Sequence, residues 1–401
     1  MSQQENIGPG LTSAPRVLVW PSWWYPNRNT SHSGVFIRRQ AAAIAAFCPT
    51  AVLFVTPDPS LGTRREVVAD VEDGLPTVRV YFRPAPPSPW QTLLNILRFM
   101  VAAATGRRAL PAAFQDPDLI QVQITPPVGL ILFLRFFWRR MPLVLSEHWS
   151  KYLLPPGREN PLRQWFIGRF TAHCAAVTTV SDALARGIRA HGLQAPLWRV
   201  IGNPVDPAVF HPQGAKKPDR ITTILHISLQ AENKNVAGIL RATAILARRR
   251  NDFRLLVIGD GPTRPESEKL SRDLGLLDRV VFFQDPLPEK EMAATMRQGD
   301  VLVLFSEIET FSCVAAEALA SGLAVVSTPT AVAEFLPAGS GILVPFGDEE
   351  ALASALEKMI DRLPLFDGTL GRRAVIERFA PQEIGQRFHD LFREVLGKHK
   401  P

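Results

Sequence analysis

The chain has 401 residues, 46% of them hydrophobic and 21% charged, which excludes a disordered or fibrous protein and suggests two globular domains. The N-terminal residues 1–15 lack the basic and apolar regions of an export signal. The most apolar run, 128–138, contains Arg135 and is too short to span a bilayer. We therefore expect a cytoplasmic protein whose three widely spaced cysteines are reduced rather than paired or bound to zinc.

The net charge of +7 is unevenly distributed along the chain. Residues 1–200 hold 21 Lys and Arg against 11 Asp and Glu, whereas the remainder holds 24 against 27. A basic first half favours phosphorylated substrates or an anionic membrane surface as partners. Because the basic residues are dispersed and no aromatic-interleaved motif accompanies them, nucleic acid is the least favoured partner.

Short apolar runs alternate with helical patterns along the whole chain. Strands are predicted at 16–20, 51–56, 77–82, 119–125, 143–148, 176–181, 221–228, 253–259, 280–283, 301–306, 324–328 and 341–346. Near-continuous hydrophobic strands separated by helices are typical of a parallel sheet covered on both faces. The predicted fold class is therefore α/β, with two doubly wound, Rossmann-like domains facing each other across a cleft.

The break between the two series of strands lies at 203–220, which is rich in proline and charge and lacks periodicity. We expect a first domain over 1–203 and a second over 204–379. The segment 380–397 has the apolar spacing of a helix. This helix could pack on the second domain or return to pack on the first.

In open parallel sheets, ligands bind beyond the carboxyl ends of the strands, so the loops there are candidate sites. In "VIGDGP" (257–262), Gly259 and Gly261 permit tight turns close to a ligand, although the motif is no dinucleotide fingerprint. Lys234, in the loop after the strand 221–228, is placed to neutralise a phosphate. An ordinary turn and a solvated lysine remain open as alternatives.

The stretch "SEIETFSCVAAEALASG" (306–322) follows another strand. Ser312 is predicted to cap a helix, which leaves Glu309 in the loop and Glu317 in the second turn. The amides of residues 311–314 would then form a positive helix N-terminus suited to a diphosphate. Glu309 could accept hydrogen bonds from a sugar and Glu317 from a ribose diol. A solvated helix face is the alternative for Glu317, but the combination favours a ligand site.

A long loop in the first half, within 20–45, ends at Gly34 before a predicted helix. Gly34 would let the backbone approach a phosphate or sugar. Arg38 and Arg39 follow in the first turns, where a cation is unfavourable unless an anion lies nearby. Three aromatic residues look exposed and could stack on a sugar or acceptor: Trp23, Trp24 and Tyr25. Surface arginines and core aromatics remain open.

Glu147 and His148 stand at the carboxyl end of a buried strand, where they would point into the presumed cleft. The Asp-Pro-Asp at 116–118 precedes a strand rather than following one, so we interpret it as a turn. No cluster of His, Cys and carboxylates has metal-ligand spacing. We therefore expect neither a metal nor a cofactor.

These motifs resemble those of the retaining glycosyltransferase family 4, also called group 1, which has the GT-B fold. Glu309 and Glu317 match its E-x7-E, and "EALASGLAVVST" matches the continuation. Three further segments fall in the expected order: "VSDALARGIRAHG" with "RVIGNPVDPAVFHP", then "GDGP", then "GILVPFGDEEALASALEKMI". The resemblance covers almost the whole chain.

The resemblance implies a role for each matching residue. Glu317 would bind the ribose of a nucleotide-sugar donor, and Lys234 would neutralise its diphosphate. Glu309 would hold the donor sugar and diphosphate together with the backbone of Thr310, Phe311, Ser312 and Cys313. Gly34 would close on the diphosphate from the first domain, and His148 would approach the transferred sugar. Catalysis would then rest on His148, Lys234 and Glu309, without a metal.

Two features depart from the family. Ser228 stands where an arginine usually precedes the lysine, so the second phosphate cation is sought in Arg38 or Arg39. The stretch "TPTAVAE" lacks the paired glycines often found before Glu334. The implied reaction is sugar transfer from a nucleotide sugar to a glycan or lipid-linked glycan, in cell-surface polysaccharide synthesis. The alternatives are a nucleotide-sugar 2-epimerase using Glu147, and an inactive homologue that acts as a binding partner.

Two apolar segments, 93–108 and 128–140, carry arginines at their ends. They could bind the interface of an anionic membrane, the inner face of the plasma membrane, and present a lipid-linked acceptor. They could equally be helices packed on the first sheet. Core packing is expected for most of their apolar residues, and peripheral contact through the basic ends stays open.

Overall fold

The computed structural model describes residues 14–30, 32–157, 161–214 and 221–398. The chain divides into two compact units. The first comprises Met1–Pro204 with Pro381–Pro401, and the second is Val205–Ala380. Parts of two predicted features, residues 1–13 of the first domain and 215–220 of the linker, lie outside the described residues.

Strands of the described residues are numbered in chain order. They are β1 (Val17–Pro21), β2 (Thr50–Pro57), β3 (Arg65–Glu72), β4 (Leu75–Phe82), β5 (Leu119–Gln123), β6 (Leu143–Glu147), β7 (Ala176–Thr179), β8 (Trp198–Val200), β9 (Thr222–Ile227), β10 (Phe253–Ile258), β11 (Val281–Gln284), β12 (Val301–Leu304), β13 (Ala324–Ser327) and β14 (Gly341–Leu343).

Helices connect most of these strands. They are α1 (Val35–Ala45), α2 (Gln91–Ala109), α3 (Ala112–Gln115), α4 (Val128–Phe137), α5 (Pro161–His173), α6 (Asp182–Ala190), α7 (Val236–Ala247), α8 (Arg264–Asp273), α9 (Glu289–Gln298), α10 (Cys313–Ala320), α11 (Glu349–Arg362), α12 (Thr369–Phe379) and α13 (Pro381–Lys398). Short 3-10 turns occur at Ser150–Leu153, Glu232–Lys234, Ala331–Glu334 and Leu363–Leu365.

Each unit is built on one sheet whose strand order reverses in the middle. The second sheet has the order β11-β10-β9-β12-β13-β14 and is parallel throughout, as in Rossmann-like domains. The first sheet repeats that order as β4-β2-β1-β5-β6-β7 and adds β3 and β8 at its edges. The prediction of two doubly wound α/β domains is confirmed.

The sequence reading missed the two edge strands. β3 runs antiparallel to β4 and is largely exposed, so its charged residues gave no apolar run. A two-residue turn joins the pair, with positive φ at Asp73 and Gly74, as hairpin turns of this length require. β8 has only three residues, which is too short to give a periodic signal.

The buried core of the first unit lies between its sheet and the surrounding helices. Trp20 of β1 is fully buried and contacts the rings of Phe133 and Trp138 at centroid distances of 5.4 and 5.7 Å. The inner faces of α2 and α4 join this core. Core packing holds for only part of the apolar residues of 93–108 and 128–140, because large side chains such as Leu93, Leu97 and Phe136 are exposed. Among the described helices, none combines the length and apolarity needed to cross a bilayer.

The helix α13 belongs to the first unit although it follows the second unit in the chain. It packs against α1, and its buried residues include Ile384 and Phe388. At Gly385 a β-carbon would lie 2.2 Å from the Ala43 carbonyl oxygen, so glycine allows the two helix backbones to approach closely.

Candidate active site

The second sheet reverses its strand order between β9 and β12, and in such sheets the ligand crevice lies beyond the carboxyl ends of the strands at this point. Lys234 ends the 3-10 turn after β9, and Glu309 lies in the loop after β12. Lys234 Nζ is 2.7 Å from Glu309 Oε1, and the Ser306 hydroxyl donates to the same oxygen at 2.8 Å. The two side chains are only 21% and 11% exposed. The structure therefore brings these two predicted site residues into direct contact.

Glu317 lies in the middle of α10, and its residue is 6% exposed. Its neighbours Ala315 to Ala320 are all buried, so this part of the helix has no solvated face. Taking a carboxylate out of water is costly unless polar groups compensate. The burial argues against the solvated-face alternative and keeps Glu317 as a candidate ligand residue.

Ser312 occupies the N-cap position of α10 with φ 68° and ψ 80°. The predicted N-cap position is therefore confirmed, although the Ser312 hydroxyl makes no capping hydrogen bond. A serine in this left-handed region is strained, and such strain clusters at functional sites. The neighbouring Phe311 packs on the rings of Phe335 and Phe379, 5.3 and 4.9 Å between centroids. The Phe311 side chain is therefore part of the core, and only its backbone could contact a ligand.

Thr310 and Cys313, which the prediction places at the donor sugar and diphosphate, are half-buried on either side of this turn. The helix that begins at Cys313 is eight residues long. Its N-terminal amides carry the positive end of the helix dipole. Because the Ser312 hydroxyl does not cap these amides, they could donate hydrogen bonds to a bound anion.

Gly259 and Gly261 are required by contact between two loops. A β-carbon at Gly259 would lie 1.9 Å from the Ser228 carbonyl oxygen, and one at Gly261 would lie 2.3 Å from that of Gln230. Both glycines have positive φ, 130° and 155°. Gln230 N–H also donates to the Asp260 carbonyl at 2.9 Å. The loops after β9 and β10 are thus locked together, which explains both glycines without invoking a ligand.

Ser228, which replaces the expected arginine, is bonded to a buried histidine. His226 Nδ1 is 3.0 Å from the Val303 carbonyl oxygen, which can only accept, so Nδ1 carries the proton. Burial lowers the pKa of His226 to about 4, which leaves Nε2 unprotonated. The Ser228 hydroxyl therefore donates to Nε2, 2.7 Å away. Ser228 cannot replace a cation beside a diphosphate, and sequence reasoning missed this pairing.

The first sheet reverses its strand order between β1 and β5. Hydrogen bonds join the residues that follow the carboxyl ends of these two strands. The Ser22 hydroxyl donates to the Ile124 carbonyl at 2.8 Å, and Trp23 Nε1–H donates to the Thr125 carbonyl at 2.8 Å. Ile124 has φ 69°, an uncommon conformation for a β-branched residue. This strained turn lies where ligands bind in such sheets.

The aromatic run after β1 divides into exposed and buried members. Trp23 is 44% exposed and Trp24 is half-buried, but Tyr25 is fully buried, so its predicted exposure is wrong. Trp149 lies 6.4 Å from Trp23 and 6.0 Å from Trp24 between ring centroids. Lys151 Nζ lies 4.4 Å from the Trp149 ring. Trp149 completes an aromatic group that the sequence reading overlooked.

Glu147 is buried, and both its oxygens accept hydrogen bonds. Oε2 accepts from the backbone N–H of Thr125 at 2.8 Å and from the Thr125 hydroxyl. Oε1 accepts from the backbone N–H of His148 and of Trp149, both at 2.9 Å. Burial raises the pKa of Glu147, while these hydrogen bonds oppose that rise. The arrangement is that of a carboxylate holding two strand ends together.

His148 ends a buried chain of three polar side chains. Gln40 Nε2–H donates to the Gly202 carbonyl at 3.4 Å, so Gln40 Oε1 accepts from Gln123 Nε2–H at 3.1 Å. Gln123 Oε1 then faces His148 Nε2 at 2.8 Å. This polarity places the histidine proton on Nε2. Burial lowers the pKa of His148 to about 3, so the ring is neutral and Nδ1 is an acceptor.

Within the described residues, Nδ1 of His148 has no hydrogen-bond partner although it is buried. A buried acceptor without a partner is costly, and a ligand hydroxyl would satisfy it. The Phe36 ring lies 4.8 Å from the imidazole between centroids. Sequence reasoning found His148 from its place after a strand, but not the glutamines that set its tautomer.

Gly34 precedes α1 with φ 70°. A β-carbon there would lie 2.4 Å from the Trp24 carbonyl oxygen, so the position requires glycine for packing as well as for its backbone angle. Arg38 and Arg39 lie in the first turns of α1 and are half-buried. Their contact with a phosphate stays a prediction.

Two family models match the chain. Residues 34–209 match the model described as Glycosyltransferase Family 4, and residues 221–362 match the one described as Glycosyl transferases group 1. The D-inositol 3-phosphate glycosyltransferase of Corynebacterium kroppenstedtii is 36% identical over 45% of this chain and 42% of its own length. The N-acetyl-alpha-D-glucosaminyl L-malate synthase of Bacillus anthracis is 28% identical over 74% of this chain and 80% of its own length.

Solved structures share the fold over nearly the whole chain. Sucrose-phosphate synthase from Thermosynechococcus elongatus superposes with a TM-score of 0.76 at 19% identity, covering 96% of this chain and 100% of that one. Anabaena Alr3699/HepE in complex with UDP and glucose has a TM-score of 0.70 at 17% identity, covering 95% and 100%. The prediction of the GT-B fold, two parallel-sheet α/β units, is confirmed.

Proposed function

Because the chain belongs to the family 4, or group 1, glycosyltransferases, we propose that it is a retaining transferase that acts on a nucleotide-sugar donor. The acceptor is a glycan or lipid-linked glycan, in the assembly of a cell-surface polysaccharide. The observation that carries the proposal is the Lys234–Glu309 pair at the crevice of the second sheet, followed by the buried Glu317 in α10.

Donor binding would use the opposite charges of this crevice. Lys234 has three N–H donors and uses one on Glu309, so the others remain for the donor diphosphate. The N-terminal amides of α10 would add the positive end of a helix dipole. The Glu317 carboxylate would accept from both ribose hydroxyls in a place shielded from water. The UDP-bound relative HepE makes UDP-sugars the first donors to test.

Transfer would break the bond between the anomeric carbon and the diphosphate oxygen, and form a bond from the same carbon to the acceptor oxygen. Lys234 and the helix amides would stabilise the negative charge that develops on the departing diphosphate. The acceptor would attack from the side that the diphosphate leaves, so the configuration is retained. Its hydroxyl proton would pass to the departing phosphate oxygen. No protein carboxylate is needed as a nucleophile.

The first unit would contribute His148 and Gly34. His148 is neutral with Nδ1 unprotonated, so it would accept a hydrogen bond from a hydroxyl of the transferred sugar. Trp23, Trp24 and Trp149 would offer apolar ring faces to the acceptor. We place the enzyme in the cytoplasm, in peripheral contact with the inner face of the plasma membrane.

The epimerase alternative is less favoured, because its required acid or base would be Glu147. All the hydrogen bonds described for that carboxylate hold strand ends in place. The inactive-homologue alternative rests on Ser228, whose hydroxyl is committed to His226. Lys234, Glu309 and Glu317 nevertheless keep the charges that a donor requires.

The deciding experiment is a thermal-shift and calorimetric screen against UDP-, GDP-, ADP- and dTDP-sugars. We expect one nucleotide sugar to stabilise the wild type, and Glu317→Ala to abolish that shift. Glu291→Ala, an exposed glutamate of the same unit, is the matched control and should leave the shift unchanged. If no nucleotide sugar binds, the transferase proposal is refuted and the inactive-homologue alternative is favoured.

The stereochemical part of the proposal needs a separate test. Once a donor is known, proton NMR of the first product formed gives its anomeric configuration before mutarotation. Retention of the donor configuration is expected. An inverted product would refute the front-face mechanism while leaving donor binding intact.

A further inference from the structure

The first unit exposes large apolar side chains on three helices that pack in the order α2, α4, α5. Phe136 at the end of α4 is 70% exposed, and Trp165 of α5 is 59% exposed. The outer face of α2 contributes Leu93, Leu97 and Val101 at successive helical turns. Single exposed apolar residues are ordinary, but a contiguous set marks an interaction surface.

The same three helices contain no aspartate or glutamate. Arg135 of α4, Arg139 just after it and Arg169 of α5 are all exposed. No ion pair of these three arginines occurs within the described part of the chain. By contrast, Arg107 at the end of α2 is paired with Asp116. These three helices therefore expose apolar side chains and carry charged side chains of positive sign only.

A groove of about 280 Å³ runs between α4 and α5. Its walls are apolar and include Ile131, Leu134 and Phe166. Arg135, Arg139 and Arg169 also line it, and as exposed residues they stand towards water. The volume lies at the low end for small-ligand sites. It is suited to a chain end rather than to a nucleotide sugar.

We propose that this groove binds a hydrocarbon chain of an anionic membrane phospholipid, whose phosphate is held by Arg135, Arg139 and Arg169. The apolar walls would take the chain, and the arginines would pair with the headgroup. The exposed rings of Phe136 and Trp165 would enter the interface around it. The bound lipid would thereby seat the first unit on an anionic bilayer.

Charge and polarity favour a lipid over other occupants. A second copy of the chain would bring the same arginines face to face, which like charges disfavour. A nucleic acid would use the arginines but leave the apolar walls without a partner. A sugar needs hydrogen-bonding groups aimed at its hydroxyls, and the groove walls offer hydrocarbon. The lipid site rests on the membrane contact of the proposed function and assigns it to named residues. It does not depend on the transfer reaction, so the lipid site and the transfer reaction can fail separately.

The first test measures sedimentation of the full chain with vesicles, without any nucleotide sugar. We expect binding to phosphatidylcholine vesicles that contain phosphatidylglycerol, and none to pure phosphatidylcholine. The triple variant R135Q/R139Q/R169Q should bind about a hundredfold more weakly, since each arginine near an anionic surface contributes about fivefold.

The matched control is R64Q/R65Q/R393Q, which removes the same charge from exposed positions of the same unit. It should bind nearly as the wild type does. Equal weakening of both triple variants would mean that net charge alone attracts the membrane, and would overturn the groove as the site. So would binding to neutral vesicles that matches binding to anionic ones.

The second test asks whether a chain enters the groove. Phosphatidylglycerol brominated in its acyl chains should quench tryptophan fluorescence of the bound protein. Trp165 lines the groove, so Trp165→Phe should remove a measurable part of the quenching when the variants are compared at equal amounts of vesicle-bound protein. Trp90→Phe, at another exposed tryptophan that does not line the groove, is the comparison. Undiminished quenching in Trp165→Phe would overturn chain insertion.

Discussion

Lys234 and Glu309 come from loops 75 positions apart and meet with Nζ 2.7 Å from Oε1. The contact joins the ends of two adjacent strands at the point where the second sheet reverses its order. Each charge therefore compensates the other in a place where both are largely shielded from water. Any anion that binds there shares Lys234 with Glu309.

Removing the lysine should harm donor binding in two ways. Lys234→Ala removes a cation and leaves Glu309 as an uncompensated negative charge beside the diphosphate. We expect a loss of about 2–5 kcal/mol in donor binding, the range for truncating one partner of a buried charge pair. Lys290→Ala, an exposed lysine of the same unit, should have no effect on calorimetric affinity.

The double variant separates the two contributions. Lys234→Ala/Glu309→Ala should bind donor less weakly than the two single losses predict, because the repulsive carboxylate is gone. Strict additivity of the losses would contradict a functional coupling of the pair.

Glu147 should prove to be a structural carboxylate. Glu147→Gln places an amide N–H₂ against four N–H or O–H donors, at least one of which then loses its acceptor. We expect the first unit to lose about 3 kcal/mol of unfolding free energy. Thermal melting monitors the loss. A variant that melts like the wild type but has no activity would restore a catalytic role for Glu147.

Gly34 should be irreplaceable because of a contact as well as its backbone angle. Gly34→Ala adds a β-carbon 2.4 Å from the Trp24 carbonyl oxygen at φ 70°. Gly192→Ala meets nothing within 4 Å at φ 76°, so it measures the cost of the angle alone, about 1–2 kcal/mol. Gly34→Ala should destabilise the first unit by about 1–3 kcal/mol more. Equal melting temperatures for both variants would contradict the contact.

The buried His148 should make unfolding take up a proton in mildly acidic solution. Its pKa in the native protein is about 3, and it rises to about 6.5 on unfolding. Between these values the unfolded chain binds a proton that the native protein excludes, so stability falls as the pH falls from 6.5 towards 3. The slope is about 1.4 kcal/mol per pH unit.

Calorimetry at pH 5, in buffers of different ionisation enthalpy, counts the protons taken up on unfolding. His148→Gln should lower that count by about one, whereas His211→Gln, at an exposed position, is the comparison. An unchanged count in His148→Gln would mean that the native ring is already charged. Because the pKa of His148 is about 3, we also expect that its titration causes no change of activity between pH 5 and 8.

Much of the architecture could be predicted from the sequence because buried parallel strands are continuous apolar runs. Each of the twelve predicted strands has its counterpart in the two sheets. The hairpin strand β3 escaped because its residues are charged and exposed. Its pairing is set by the turn at Asp73 and Gly74 and by β4, rather than by any pattern of its own.

The chemistry of the candidate site could be predicted only in part from the sequence. Glu309, Glu317 and Lys234 stand in recognisable loops and helix starts. The tautomer of His148, however, depends on Gln40, which is 83 positions from Gln123 and 162 from Gly202. Such a chain has no local signature, because each glutamine alone is an ordinary polar residue. The burial of Tyr25 is likewise a product of tertiary packing.

The return of α13 to the first unit bears on how the chain is made. Val205 N–H donates to the Phe379 carbonyl at 2.8 Å, so the second unit closes on itself before α13 begins. A ribosome therefore releases all of the second unit before the helix that covers α1 exists. Until then, the face of α1 around Ala43 stays uncovered while residues 46–380 are added. The first unit therefore begins to be synthesised before the second unit but is completed after it.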